Sequence, residues 1–185
     1  MSNIILDKNA LRKTAKQLRN NLLPCERKEK DEIIFEKIIA LNEYKNCDTV
    51  LCYYSTEIEV DTLKLIDYSL KIGKRVAIPR CIDNNGKMNF YYINSVDNLK
   101  TGAFGIKEPP ENAEICLGKT SNICIIPSLM VDKMCYRLGY GKGYYDNFLK
   151  NFGGVKCVIC YKENLVNTLP VYNGFDVKCD VCITD

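Results

Sequence analysis

Between Arg137 and Asp146 the chain reads RLGYGKGYYD. Gly139, Gly141 and Gly143 carry no Cβ, so an anion can come close to their main-chain amides. Arg137 offers a planar fork and Lys142 a point charge, and both suit phosphate oxygens. Tyr140, Tyr144 and Tyr145 can stack on a planar ring or donate a hydroxyl. Asp146 follows where a carboxylate could hold a Mg²⁺ that bridges phosphates. Types and spacing therefore fit a phosphate cradle. This is not the common P-loop, because Gly143 stands where Ser or Thr must follow the lysine. The spacing also misses the dinucleotide-binding fingerprint. A surface turn whose tyrosines pack on a sheet would use the same residues, and the ten positions alone leave both readings open.

The rest of the composition narrows the chemistry. The 185 residues contain no histidine, so the usual general base near neutral pH and the commonest metal ligand are missing. Carboxylates, lysine, tyrosine, cysteine, a bound metal or positioning alone must serve. The 11 cysteines are odd in number and scattered. Many stand where Val or Ala would, so they read as reduced, buried thiols in a cytoplasmic protein. Cys157-x-x-Cys160 and Cys179-x-x-Cys182 have the spacing of a four-cysteine zinc site. Yet "KCVICYK" and "KCDVCITD" lack Gly and Pro, and strand positions three apart face opposite sides of a sheet. A zinc ribbon that binds nucleic acid is therefore the weaker alternative. The net charge of +3 is mild for such a binder. "MSNIILDKNALRK" turns charged too soon for a signal peptide, and no apolar run is long enough for a membrane span.

The elements that would position these residues follow from period and punctuation. Asp7 can cap a helix from Lys8, with Leu11, Ala15, Leu18 and Leu22 on one side. Lys8, Arg12, Lys16 and Arg19 form a basic stripe beside them. Pro24 breaks this run, and a second helix is expected from about Lys28 to Tyr44, with Ile33, Ile34, Ile38 and Leu41 inward. "DTVLCYYS", "KRVAIP", "KMNFYYI", "SNICIIPS", "VKCVICYK" and "VKCDVCITD" read as strands. "DTLKLIDYSLKIG" reads as a helix ending on Gly73, and "GYYDNFLKNF" as one stopped by Gly153 and Gly154. "TGAFGIKEPPENAE" reads as a loop. The expectation is one α/β domain over residues 1–185, with a helical N-terminal segment and a mostly parallel central sheet flanked by helices, Rossmann-like in a loose sense. A loop from Pro127 to Gly143 would then sit at the carboxyl end of a strand, where such sheets bind ligands, with a helix N-terminus behind it.

The stretch resembles the hallmark of the 5-formyltetrahydrofolate cyclo-ligases, P-G-x-x-F-D-x-x-G-x-R-L-G-Y-G-K-G-Y-Y-D. The chain has Pro127, Asp132 and the uninterrupted decapeptide. It departs at Ser128, Val131 and Cys135, where the family usually has Gly, Phe and Gly. "KNALR", "YYSTEIEVDT", "VAIPR", "FGIKEP" and "LPVYNGFDVKCDVCITD" match further family segments in order. The resemblance implies an enzyme that converts 5-formyltetrahydrofolate to 5,10-methenyltetrahydrofolate with ATP and Mg²⁺. The formyl oxygen would take the γ-phosphate, N10 would close the ring, and phosphate would leave.

By the same resemblance Lys8, Arg12 and the run Arg137, Leu138, Gly139, Tyr140, Gly141, Lys142, Gly143, Tyr144 and Tyr145 would bind ATP. Lys142, Arg137 and Tyr144 would serve catalysis. Asp146 and Asp176 would hold the metal. Tyr54, Glu59, Phe104, Tyr140 and Tyr144 would meet the folate. The expected protein is a monomer acting on small molecules, without a nucleic acid or membrane partner. The alternative within the same fold is a nucleotide-binding protein without turnover.

Overall fold

In the structure, a computed structural model describing residues 7–102, 105–171 and 174–185, Asp7 accepts a bond from the Asn9 amide and starts α1, Lys8–Asn20. That cap satisfies one of the amides a helix start leaves unpaired. Leu11, Ala15 and Leu18 pack against Leu129, Met130 and Leu138. Pro24, expected as a break, is the first residue of α2, Pro24–Ala40, because a first helical position needs no N–H. The expected single helix to Tyr44 is divided. Leu41, with ψ of 138°, separates α2 from α3, Asn42–Asn46. Ile34, Phe35 and Ile38 are buried, whereas Ile33 is exposed.

The strands follow as β1 (Thr49–Leu51), β2 (Arg75–Cys81) and β3 (Met88–Ile93), with α4 (Leu63–Lys71) between the first two. Gly73, with φ of 82°, ends that helical segment as expected. The expected loop after residue 100 carries a two-stranded ribbon, β4 (Lys100–Thr101) with β5 (Lys107–Glu108). Then come β6 (Ile115–Cys116), β7 (Asn122–Pro127), β8 (Met130–Asp132), β9 (Arg137–Leu138), α5 (Tyr144–Leu149), β10 (Val155–Ile159), β11 (Leu165–Val166) and β12 (Val181–Ile183). The main sheet has the order β12-β10-β7-β1-β2-β3-β6. Its pairings from β12 through β2 are parallel, and β3 and β6 add antiparallel pairings at one edge.

Alternation along these strands fills both faces. Val50, Ile123 and Ile125 meet α2 and α4 in one cluster, while Leu51, Cys124 and Ile126 meet Leu149 and Phe152 in the other. Strands covered on both sides are apolar throughout, which is how they read in the sequence.

The stretch from Pro127 to Gly143, expected as a loop, contains a hairpin. β8 pairs antiparallel with β9 and parallel with β11 in a separate small sheet. The Asp132 carboxylate, 1% exposed, ties it together by accepting from the amides of Met134, Tyr136 and Leu169. Cys135 lies in its turn with φ of 65°, a left-handed conformation that favours glycine. Because α1 packs on this hairpin, the basic helix lies beside the glycine stretch that β9 feeds.

Candidate functional site

β9 delivers the chain into the glycine loop. The Gly139 carbonyl accepts from Arg12 Nε at 2.9 Å. Gly141, with φ of 99°, lies so close to Arg12 that a Cβ there would meet the guanidinium carbon at 3.0 Å. Gly143, with φ of 73°, begins α5. At six residues α5 aligns few peptide dipoles, so the expected helix-terminus attraction gives way to loop amides and nearby cations. Lys142 is exposed.

Three neighbours of the loop differ from expectation. The Arg137 side chain is 3% exposed, and Nη1 lies 3.0 Å from Asp146 Oδ1. Its fork braces a carboxylate and is not open to solvent. Leu138 is 2% exposed in the core, so only its main chain can face a ligand. The Tyr145 ring meets Phe90 edge-on at 6.4 Å, and its hydroxyl is enclosed with no hydrogen-bond partner among the described residues. Burial pushes that hydroxyl's pKa far up, so it stays neutral. Tyr144 is the outward member of the pair, and its hydroxyl donates to the Asp83 carbonyl at 2.6 Å.

The carboxylates expected to hold metal are brought onto adjoining backbone. Asp146 Oδ1 accepts from the amide of Val177, the residue after Asp176, at 3.0 Å. Asp176 Oδ2 lies 2.8 Å from Lys8 Nζ, with both side chains 17% exposed. Lys8, Arg12, Asp146 and Asp176 thus gather around one end of the glycine loop. Lys16, a turn further along α1, places its ammonium 5.4 Å from the centre of the Tyr140 ring.

Tyr140 joins this end to the expected folate residues. Tyr140 is 44% exposed, and its hydroxyl lies near the Glu59 carboxylate and Thr56. Burial, with the Glu59 charge adding to it, pushes the hydroxyl's pKa well up. Glu59 is 8% exposed, and its Oε2 accepts from the Thr56 amide at 2.9 Å and hydroxyl at 2.8 Å. Tyr54 is half-buried against the core. Phe104 lies outside the described residues.

Sequence reasoning gave Arg19 no role beyond membership of the basic stripe. The residue is 1% exposed, and its guanidinium donates to the carbonyls of Ile58, Ser128 and Leu129. It thereby ties the segment before Glu59 to the end of β7. One signal was available, since Arg19 stands four residues after Ala15 and so beside the apolar stripe. Arg19→Ala leaves three carbonyls, two of them buried, short of a donor and opens a cavity. The expected cost is about 3 kcal/mol, a fall in melting temperature of roughly 6–12 °C. Thermal unfolding followed by circular dichroism checks it, and an unchanged midpoint would contradict it.

The cysteine pairs do not gather at one point: Cys160 and Cys182 lie side by side, and that contact lowers the pKa of the Cys182 thiol, but the other two thiols do not join them. Cys157 faces one hydrophobic layer and Cys160 the other. Burial pushes the Cys157 thiol far up and that of Cys179 to about 12, the reverse of what a thiolate ligand needs. Among the described residues no group of three or more His, Cys, Asp or Glu is placed to hold a metal.

A layered α/β fold whose glycine loop lies between a basic helix, two carboxylates and a buried glutamate has the build of an enzyme for a small anionic substrate. A model of the 5-formyltetrahydrofolate cyclo-ligase family matches residues 4–185, and the chain belongs to that family. It is 31% identical to a probable 5-formyltetrahydrofolate cyclo-ligase of Schizosaccharomyces pombe over 82% of this chain and 81% of the relative. It is 33% identical to a 5-formyltetrahydrofolate cyclo-ligase of Mycoplasma pneumoniae over 97% and 99%. Its fold matches the solved 5,10-methenyltetrahydrofolate synthetase of Aquifex aeolicus with a TM-score of 0.83 and 32% identity, covering 95% and 88%.

Proposed function

We propose that the chain converts 5-formyltetrahydrofolate to 5,10-methenyltetrahydrofolate with ATP as co-substrate and Mg²⁺ as metal. One observation carries the reading: the loop that Arg12 grips at Gly139 also brings Tyr140 near Glu59. A triphosphate on the loop and a pterin on the glutamate would be neighbours. Phosphoryl transfer relies on positioning and charge neutralisation more than on covalent help, so a chain without histidine can carry it out.

Lys8, Arg12 and Lys142 supply positive charge for phosphate oxygens, and the amides of residues 139–143 supply donors that need no reorganisation. Arg137 does not itself reach the triphosphate in this reading. It fixes Asp146, and Tyr144 fixes the start of α5. The Glu59 carboxylate accepts from the amino-pyrimidine edge of the pterin, while Tyr54 and Tyr140 flank the ring.

The donor set fits Mg²⁺, which takes one or two carboxylates and completes its shell with phosphate and water. Asp146 and Asp176 lie on adjoining backbone. Lys8 holds Asp176 meanwhile. When bound, the metal neutralises charge on the phosphates.

No helix among the described residues is long and apolar enough to cross a membrane. All eleven cysteines are free thiols, which suits the cytoplasm. We read the protein as a monomer on small-molecule substrates.

The deciding experiment mixes protein, ATP, Mg²⁺ and 5-formyltetrahydrofolate and follows the near-ultraviolet absorbance of the methenyl product. Product that requires ATP is expected; nucleotide binding without product would leave a non-catalytic binder. In the same assay Glu59→Gln is expected to raise KM for the folate roughly tenfold or more, through loss of bonds to a charged acceptor, with KM for ATP little changed. An unaltered folate KM would remove Glu59 from the pterin site.

A further inference from the structure

The β2–β3 hairpin has no part in the chemistry described so far, yet its turn touches the carboxyl end of the glycine loop. Its turn is tied from within. Asp83 Oδ1 accepts from the amides of Asn85 at 2.8 Å and Lys87 at 3.0 Å, and the Ile82 amide donates to the Lys87 carbonyl at 2.9 Å. Two carbonyls of this closed turn accept from α5. The Tyr144 hydroxyl donates to Asp83 at 2.6 Å, and Asn147 Nδ2 donates to Gly86 at 3.1 Å. Positions 144 and 147 are three apart and share a helix face, so both bonds clamp the first turn of α5.

Gly86 makes the closest approach. Its φ is 91°, and a Cβ there would lie 2.8 Å from Asn147 Nδ2 and 2.9 Å from the Lys142 carbonyl oxygen. The hairpin backbone therefore sits directly against the Lys142–Gly143 peptide. In a trans peptide the carbonyl and the following N–H point in opposite directions, and none of the described peptides is cis. With the Lys142 carbonyl turned toward Gly86, the Gly143 amide points away from the hairpin. Gly143, on the carboxyl side of this peptide, offers little resistance to turning it over. A turned peptide would present an oxygen where an anion requires a donor.

We propose that the hairpin turn Asp83–Gly86 is a positioning element for nucleotide binding, holding the Lys142–Gly143 peptide in its donor-out orientation through Gly86 and Asn147. The inference deepens the ATP reading above and rests on it. Gly86 and Asn147 touch no reacting atom in this account; they act through the loop. The signature is selective: ATP affinity depends on the hairpin and folate affinity does not.

The test measures ATP binding calorimetrically with Mg²⁺ present, together with KM for each substrate, in the parent protein and two variants. Gly86→Ala pushes a methyl into the Lys142 carbonyl and is expected to weaken ATP about tenfold or more, with folate KM within about twofold. Asn147→Leu keeps the approximate shape, loses the donor without adding a charge and sits on an exposed position, so the fold is retained; ATP should weaken roughly three- to tenfold. Should Gly86→Ala not fold, Asn147→Leu decides alone. ATP affinity unchanged in the folded variants would overturn the proposal. An equal rise in both KM values would overturn it too, as general loosening. A parent protein that does not bind ATP would remove the nucleotide reading itself, which separates that failure from this one.

Discussion

Lys142→Ala is expected to lower kcat/KM for ATP on the order of 100-fold. Lys142 is the exposed cation inside the glycine loop. Removing one preorganised donor from a site of developing charge costs about 10²–10³ in rate. The side chain has no structural role to lose, so stability should stay within about 0.5 kcal/mol. Lys142→Arg should recover part of the activity, because charge returns but a fork replaces a point. Steady-state kinetics with ATP varied checks the result. An Ala variant with parental ATP affinity and rate would refute the phosphate role of the loop.

Asp146→Asn has the second large effect, and it acts through two contacts. Oδ1 serves the nearly buried Arg137 and the Val177 amide. Asparagine keeps an acceptor there but removes the charge. The Arg137 guanidinium then lacks its counterion, and the proposed metal loses one of two carboxylates. The expected outcome is a rate lower by about 10²-fold and a Mg²⁺ requirement raised roughly tenfold, since outer contacts that orient a ligand cost 10–100-fold by themselves. Titrating Mg²⁺ in the product assay separates the two contacts. A slow variant with parental Mg²⁺ dependence would assign Asp146 to bracing Arg137 alone.

How much of this was legible depends on the kind of signal. The sheet was readable because its strands are buried on both faces and therefore apolar without interruption, as in "NICIIP". The cap at Asp7 and the stop at Gly73 were readable from local chemistry. The hairpin of β8 and β9 was not. Its strands have three and two residues, and what closes it is the buried Asp132 carboxylate, a contact that reaches Leu169. No periodicity records a bond across 37 residues.

The site divides in the same way. Lys8, Arg12 and the glycines were legible from type and spacing once the family pattern was seen. The inward turn of Arg137 and Tyr145 was not, because alternation in "RLGYGKGYYD" does not say which side chains the core will claim. Arg19 was read only as one member of the basic stripe, and its burial was not legible because a charge on an amphipathic helix is normally solvated. Here three main-chain carbonyls compensate its burial.

The central claim is that main-chain amides of residues 139–143, with Lys8, Arg12 and Lys142, hold a triphosphate beside the Glu59 pocket. A crystal structure with a non-hydrolysable ATP analogue and Mg²⁺ tests it most directly. The account predicts phosphate oxygens within hydrogen-bond distance of those amides and the metal on Asp146 and Asp176. A nucleotide bound elsewhere, with the glycine loop facing solvent, would contradict it.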